Sequence, residues 1–402
     1  MRLALALALV TGCAPAATCE LDAPLTAEPE AAWAVVSSDY ASSAITLLGP
    51  DGALVREGWL SSGSAPPGIV ASLSGDVAIA SGPITPCVVA VVDRFGTDVV
   101  SFLDHCAGEV VSQVDVGSSF RANPHDVMRL DERRVLVSRH EPNPGADDPL
   151  GAGNDLLVVD WRDGEVLHAI DLSALDAEVD GERLPARPSR VAPLGRFVVI
   201  GLGRASLDFM VSGPGAVAVL DPESGDVEAL TLDGLEGCDE VDGAPGGDAA
   251  LVTCGGPAFV QEDARRAGAG LATLALDGGE VVVRHVWRAA EHPEAPVFNA
   301  WGVPLSADRA VAVAMGDLRE GVNDRVAVID LPSGRVEPLF EAGSAFVVGD
   351  GAWDPQRELL LVPDAHEGAA RRFSGEALEP LPAAPTGPCT GLPPREIRPL
   401  SI

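Results

Sequence analysis

A chain of 402 residues with 47% hydrophobic side chains can bury a large core, and its formal net charge of −33 opposes contact with phosphate backbones and anionic headgroups, which excludes a nucleic-acid partner. All 27 basic residues are Arg. With no Lys, the chain has no phosphate-loop lysine, no Schiff-base lysine and no Ser-Lys dyad.

The amino terminus reads MRLALALALVTGC, with an apolar run from Leu3 to Val10 ahead of Cys13. A run this short is an export signal, because a membrane span needs about 20 apolar residues. Val10-Thr11-Gly12-Cys13 resembles the bacterial lipobox. The resemblance implies cleavage before Cys13 and lipidation of its thiol, and Ala14 in place of Asp implies transport to the outer membrane. The expected organisation is a signal over 1–12, a tether over 13–31 and one domain over 32–402. Acyl chains would be its only contact with the membrane.

From Trp33 onward an apolar strand, a polar break, a second apolar strand and a Gly turn recur with a period of roughly 40 to 50 residues, the mark of a radial β repeat. The copies read WAVVSS/SAITLLGPDG, VVAVVDR/DVVSFLDHC, RVLVSRH/DLLVVDWRDG, FVVIGLG/AVAVLDPESG, ALVTCGG/LATLALDGG, VAVAMGD/RVAVIDLPSG and LLLVPDA/AARRFSG. The fold class is therefore all-β, a seven-bladed β-propeller with blades near 32–66, 67–121, 122–186, 187–236, 237–296, 297–344 and 345–384. Val, Leu and Ala dominate the apolar residues, and aromatics make up 4%. Small and β-branched side chains suit tightly stacked strands.

Blade 1 begins at its second strand, whereas blade 3 opens with NPHDVMRL. The tail TGLPPREIRPLSI supplies a spare segment that can pair into blade 1 and close the ring, removing an open sheet edge.

Cysteine placement fits an oxidising compartment. Cys87 precedes one strand and Cys106 follows its hairpin partner, so the two ends lie side by side. Cys238 and Cys254 are juxtaposed in the same way in blade 5, and Cys19 and Cys389 flank the ring. Three disulfides, Cys87–Cys106, Cys238–Cys254 and Cys19–Cys389, are expected.

The strand pattern resembles the YVTN-type propeller repeats of exported bacterial proteins: VSRH, VVDR and LVTCG stand in the Tyr-Val-Thr-Asn slot, and VAVIDLPSGRV matches the next hairpin. No blade carries Tyr-Val-Thr-Asn itself, and the chain has one Tyr. The resemblance implies a fold and little about activity, since propellers host binding, scaffolding and catalysis alike.

His-Glu-x-x-His, Gly-x-Ser-x-Gly, Cys-x-x-Cys and Gly-x-Gly-x-x-Gly after a strand are absent, so no cofactor, metal or catalytic set is assigned. Long irregular segments fall between second and third strands: EPNPGADDPLGAGN, RASLDFMVSGPG, FVQEDARRAGAG and DLREGVND. All are read as loops on one face, where function tends to reside. Candidate ligand-binding residues on that face are Asp39, Arg94, His140, Asp317, Asp364 and His366 at second-strand ends, with His125, Asn299 and Trp301 nearer the axis. The acidic sets Asp147, Asp148, Asn154, Asp155 and Asp317, Glu320, Asn323, Asp324 read as solvated loops more than as calcium sites, and Arg265-Arg266 and Arg371-Arg372 as surface features. Asn123-Pro124-His125-Asp126 resembles the Asn-Pro-x-Asp opening of an innermost strand, a structural role. The opposite turns, such as GPDG, PESG and LPSG, read as built for turning alone.

The function expected is that of a lipid-anchored cell-envelope module binding a protein or small ligand through its loop face without catalysis; the alternative is a lactonase-like hydrolase with an acid/base or metal site in the central funnel. The lipid anchor is tested by Cys13→Ser. The variant should leave the membrane fraction or accumulate unprocessed, and membrane association unchanged in a folded variant would refute the anchor.

Overall fold

In a computed structural model, which describes residues 25–400 apart from 119 and 388, the repeats form seven four-stranded antiparallel sheets. The expected signal, Cys13 and Cys19 lie outside the described residues. Strands are lettered A to D from the axis outward. The A strands of blades 1 to 7 are Pro394–Pro399, Val77–Ile79, Pro124–Arg129, Pro188–Leu194, Glu240–Gly243, Gly302–Ser306 and Ala352–Asp354. B–C loops and D–A connections share one face; A–B and C–D turns share the other.

The B strands Trp33–Ser38, Val88–Asp93 and Leu359–Asp364 are buried at every residue, which is why they read as unbroken apolar runs rather than alternating ones. Both faces of each sheet meet a neighbouring blade. Seven apolar clusters result, one at each blade–blade interface. Each Val or Leu buried there contributes roughly 1.5–3 kcal/mol, so cohesion is spread evenly around the ring.

The C-terminal segment closes the ring as its sequence suggests. Pro394–Pro399 pairs antiparallel with Trp33–Ser38, Val35 opposite Ile397, and Leu400 N donates to Ala32 O at 2.8 Å. Ile397, Trp33 and Val35 then pack with Leu361 of blade 7.

Cys87–Cys106 and Cys238–Cys254 are bonded. Cys389 is also disulfide-bonded, to a partner outside the described residues. Structural disulfides place the protein outside the cytoplasm. Among the described residues no helix is long and apolar enough to cross a membrane.

A segment read as a loop carries an α-helix. Within FVQEDARRAGAG lies the helix Glu262–Gly268, which has Glu262 and Asp263 in its first turn, where carboxylates suit the helix dipole. Arg266 is a clamp here rather than a surface feature: its Nη1 donates to the carbonyls of Ala289, His292 and Ala295 at 3.3, 3.2 and 3.0 Å. The connection between blades 3 and 4 contains the hairpin of Ala177–Val179 with Glu182–Leu184.

Several acidic loop residues also prove structural. Asp324 accepts four backbone N–H bonds, from Gly316, Phe346, Val347 and Val348 at 2.7–2.9 Å, tying its loop to the next connection. Asp98 and Asn154 do the same toward Asn123 N (2.9 Å) and Arg187 N (2.7 Å). Asp155 forms a buried pair with Arg139 at 2.5 and 2.7 Å.

A strands form no ladder with one another beyond the parallel bridge of Asp350 with Glu396, so much of their inner edges must be satisfied by something else. Charged side chains do this. Glu396 Oε2 accepts from Ile79 N at 3.0 Å, and Asp126, fully buried, accepts from Ser81 N (2.9 Å) and Val191 N (3.0 Å). Arg190 of blade 4 donates to Glu396 Oε1 of blade 1 at 2.6 Å, Asp350 Oδ2 of blade 7 at 3.1 Å and Ile79 O of blade 2 at 3.3 Å. It also lies 3.6 Å from Glu240 of blade 5 and 4.0 Å from Asp126 of blade 3. One guanidinium thus touches five other blades. Arg398 completes the set, bonded to Asp350 and to Gly351 O.

Breaking a buried ion network on its cationic side leaves carboxylates uncompensated. Arg190→Met should cost about 3–5 kcal/mol in urea unfolding at pH 7. Arg133→Ala, which removes exposed pairs to Asp160 and Asp163, should cost under about 1 kcal/mol.

Candidate functional site

The loop face opens into a funnel of 580 Å³, within the range of small-ligand sites. Four blades build its wall. His125 sits in the A strand of blade 3 and His140 near the end of the adjacent B strand, so the blade's own pairing lays one ring on the other: centroids are 4.2 Å apart and the planes differ by 3°. Phe209, from the B–C loop of blade 4, continues the column at 6.2 Å from His140, and the Arg187 guanidinium caps Phe209 at 4.1 Å.

Arg187 is fully buried and held by Ala205 O and Ser206 O, each at 3.1 Å. Its Nη1 is 2.8 Å from Glu141 Oε1 without hydrogen-bond alignment. His125 Nδ1 meets Ser189 Oγ at 2.8 Å, whereas His140 Nδ1 has no partner. Burial is the main reason both imidazoles resist protonation. His125, half-buried by exposure but enclosed by the funnel wall, titrates well below its usual value, with His140 and Arg94 adding to the effect. His140 is pushed down to about 3, with Arg187 as the next cause. Both rings are therefore neutral at pH 7 and offer hydrogen bonds and flat surface rather than charge.

Across the funnel lie Asn299 and Asp239. Asn299 Oδ1 accepts from Met315 N at 2.8 Å, which leaves its amide NH2 for the cavity. Burial raises the Asp239 carboxyl to about 6.

Of the residues proposed from sequence, His125, His140 and Asn299 converge here. Arg94 does not line the funnel, though its charge acts on His125 and His140, and it is engaged by Asp76 at 2.5 Å. The others do other work. Asp39 is exposed and caps Ala41 N and Ser42 N at 2.9 and 2.7 Å; Asp317 likewise caps Arg319 N at 2.7 Å. Asp364 is fully buried and bound to Arg371 at 2.7 Å, so Arg371 is an anchor rather than a free surface group. His366 is exposed against Gly343, outside the cavity. Trp301 is 6% exposed and belongs to the core between blades 6 and 7. Sequence reading missed Arg187, Asp239 and Phe209. The signal for Phe209 was present: a large aromatic inside an otherwise small and polar loop.

Among the described residues, the one group of three His, Cys, Asp or Glu side chains close enough to share an ion is Cys87, Asp104 and Cys106, and its sulfurs are joined as a disulfide.

No family model and no curated protein matches the chain. The likeness to YVTN repeats therefore extends to the fold alone. Among solved structures, a candidate 6-phosphogluconolactonase of Bacteroides fragilis is 12% identical, with 94% of this chain and 99% of that one covered and a TM-score of 0.55. A functionally unknown protein of Desulfotomaculum acetoxidans is 11% identical over 92% and 98%, with a TM-score of 0.54. The β-propeller domain of Cps50 (Swd1) from Myceliophteria thermophila is 10% identical over 85% and 94%, with a TM-score of 0.52. This chain is a seven-bladed β-propeller. Similarity at this level carries the architecture and no activity.

Below the funnel, burial also raises Glu240 to about 8 and Asp242 to about 7, opposed by Arg190 and Arg398 and reinforced by neighbouring carboxylates. A Glu that ionises near its ordinary value when unfolded and near 8 when folded binds an extra proton in the native state between those values. Stability therefore falls as pH rises through that window and levels off above it. The two histidines act oppositely: unfolded imidazoles take up protons below about 6.5, so stability also falls on that side. Below about pH 6.5 the two slopes oppose each other, and above it only the raised carboxyls titrate, so stability falls from there toward pH 8. Glu240→Gln should stabilise by about 1–3 kcal/mol at pH 8.5 and flatten the loss between pH 7 and 9, read by urea unfolding at each pH.

Proposed function

We propose that the protein is a non-catalytic recognition module of the cell envelope, held by a lipid on Cys13, that grips a protein partner with its loop face. One observation carries this reading. The eight large apolar side chains more than half exposed among the described residues all belong to B–C loops or D–A connections, and besides Val70, in the connection between blades 1 and 2, they are Tyr40, Phe95, Leu207, Met210, Phe259, Leu318 and Phe346, at 51–75% exposure. These seven come from the B–C loops of blades 1, 2, 4, 5 and 6 and from the connection between blades 6 and 7.

Clustering, more than exposure, carries the weight, because scattered apolar residues need no explanation. The chain is poor in aromatics yet spends three Phe and its single Tyr on this rim. Aromatic, Met and Arg side chains are the types that concentrate binding energy at protein interfaces. Two of the rings are already steadied by cations, Tyr40 under Arg395 at 5.3 Å and Phe95 under Arg121 at 4.9 Å, which lowers the entropy lost on docking. The neutral His–Phe column and Asn299 give the centre of the face hydrogen-bonding groups with no net charge. The overall acidity favours a basic partner and disfavours nucleic acid.

A hydrolase reading draws support from Asp239, a carboxyl poised near neutrality in the same cavity as two neutral imidazoles. Those imidazoles are weak bases, and the one hydroxyl set against them, Ser189 Oγ, is buried at 1% exposure, so recognition is preferred.

The rim is tested by the double variant Phe259→Ser/Phe346→Ser, with Leu167→Ser on the outer edge as control. Partner protein captured from envelope extracts by the parent should be lost at least tenfold by the double variant and retained by the control, with melting temperatures within about 3 °C. Equal capture by all three proteins would overturn the assignment.

A further inference from the structure

The opposite face was expected to hold only turns, yet the axis opens there into a second cavity, also of 580 Å³. Every blade contributes to it. Pro83, Pro193, Pro245, Pro304, Pro355 and Pro399 come one each from blades 2, 4, 5, 6, 7 and 1, and Met128 comes from blade 3. Three of these prolines lie within A strands, where the unpaired inner edge needs no N–H, so Pro costs nothing there and blocks edge pairing. The same choice gives the mouth a rigid apolar collar. Trp353 adds an aromatic wall.

The floor is charged, and its charges do not balance. Arg398, 3% exposed, is committed to Asp350 and to Gly351 O, with Glu396 3.2 Å from its Nε. Asp242 also lines the cavity, and its nearest cation is Arg398 Nη1 at 3.8 Å. No group among the described residues donates a hydrogen bond to its carboxylate. Two arginines on the axis face Asp126, Glu240, Asp242, Asp350 and Glu396, so negative charge is in excess and Asp242 is the acid left facing the opening.

We propose that this mouth binds a small organic cation with an apolar stem, its ammonium bonded to Asp242 and its stem laid against Trp353 and the proline collar. Volume, apolar wall and an acid that accepts no hydrogen bond, its nearest cation 3.8 Å away, fit such a ligand; Arg129, the other cation of the lining, is exposed at the rim and bonded to Asp131 O at 2.9 Å, so an anion on the floor would meet surplus carboxylates. The raised pKa of Asp242 agrees, because desolvation by burial with Asp350 and Asp126 nearby makes its ionised form wait for a positive partner. A free amine and a lysine side chain of a protein segment share this chemistry. The site is independent of the loop-face reading and survives if that reading fails.

The test is calorimetric titration of the intact protein with benzylammonium, with benzyl alcohol and benzoate as controls, and with a short N-acetylated Lys-containing peptide as the second source. Benzylammonium should bind one to one with a Kd of about 1 mM or tighter, the controls at least tenfold more weakly. Asp242→Asn should weaken it about ten- to hundredfold. If that variant does not fold, Trp353→Leu should weaken it at least threefold in a protein with unchanged circular dichroism. A peptide binding tenfold tighter than the amine assigns the source to a protein segment, and the reverse assigns it to a free amine. Absence of saturable heat up to about 20 mM benzylammonium, equal binding of benzyl alcohol, or an unchanged Kd in folded Asp242→Asn would each overturn the proposal.

Discussion

The innermost strands of a propeller confront one another around the axis without forming a continuous ladder, and in this protein a web of carboxylates around Arg190 and Arg398 answers much of that exposed backbone. Glu396 and Asp126 accept N–H groups from neighbouring blades while holding the guanidinium of Arg190, so backbone satisfaction and charge neutralisation are one event. Buried charge is normally a poor source of stability, because desolvation offsets the attraction. Its value here is geometric. Seven near-identical apolar interfaces could slide or splay, whereas a guanidinium that must reach five other blades fixes where each sits.

The radial architecture was legible in the sequence because each blade repeats the same apolar runs, and burial of B strands on both faces makes those runs continuous. Ring closure was legible too, since WAVVSS lacks an inner neighbour and PREIRP remains unused at the other end. The two disulfides bonded within the described residues followed from strand ends that any antiparallel hairpin brings together. The axial network was not legible in this way. The charges in PSRVAPL, EVDG and PREIRP look like ordinary edge-strand polarity until closure brings the three strands to a common centre.

The candidate site was legible in part for a similar reason. His125 and His140 could be assigned to one end of adjacent strands, and their stacking follows from that pairing. Trp301 could be assigned to the same end, but its side chain turns into the interface of blades 6 and 7, because a large ring placed beside Gly351 fills space that the glycine leaves open. Acidic loops misled as well. Asp324 and Asp155 look solvent-directed in a Gly-rich context, yet each spends its charge on groups inside the protein. The two ends of the axis also diverge chemically: one is rimmed by exposed aromatic and aliphatic tips around neutral imidazoles, the other collared by proline over an unmatched acid.

Closure by the last strand has a consequence for how the chain reaches its shape. Arg190 meets Glu396 across 206 residues, and the innermost strand of blade 1 brings two of the seven axial charges, Glu396 and Arg398, from the far end of the described chain. The other blades can each pair their own strands without it, and Arg190 can meet Asp126, Glu240 and Asp350, but the axial network lacks its bond to Glu396 until Pro394–Pro399 joins Trp33–Ser38. Blade 1 is thereby a velcro-like seam, its inner strand and its outer three drawn from opposite ends of the described chain, so loss of that one strand would open both a sheet edge and the charge web at the axis.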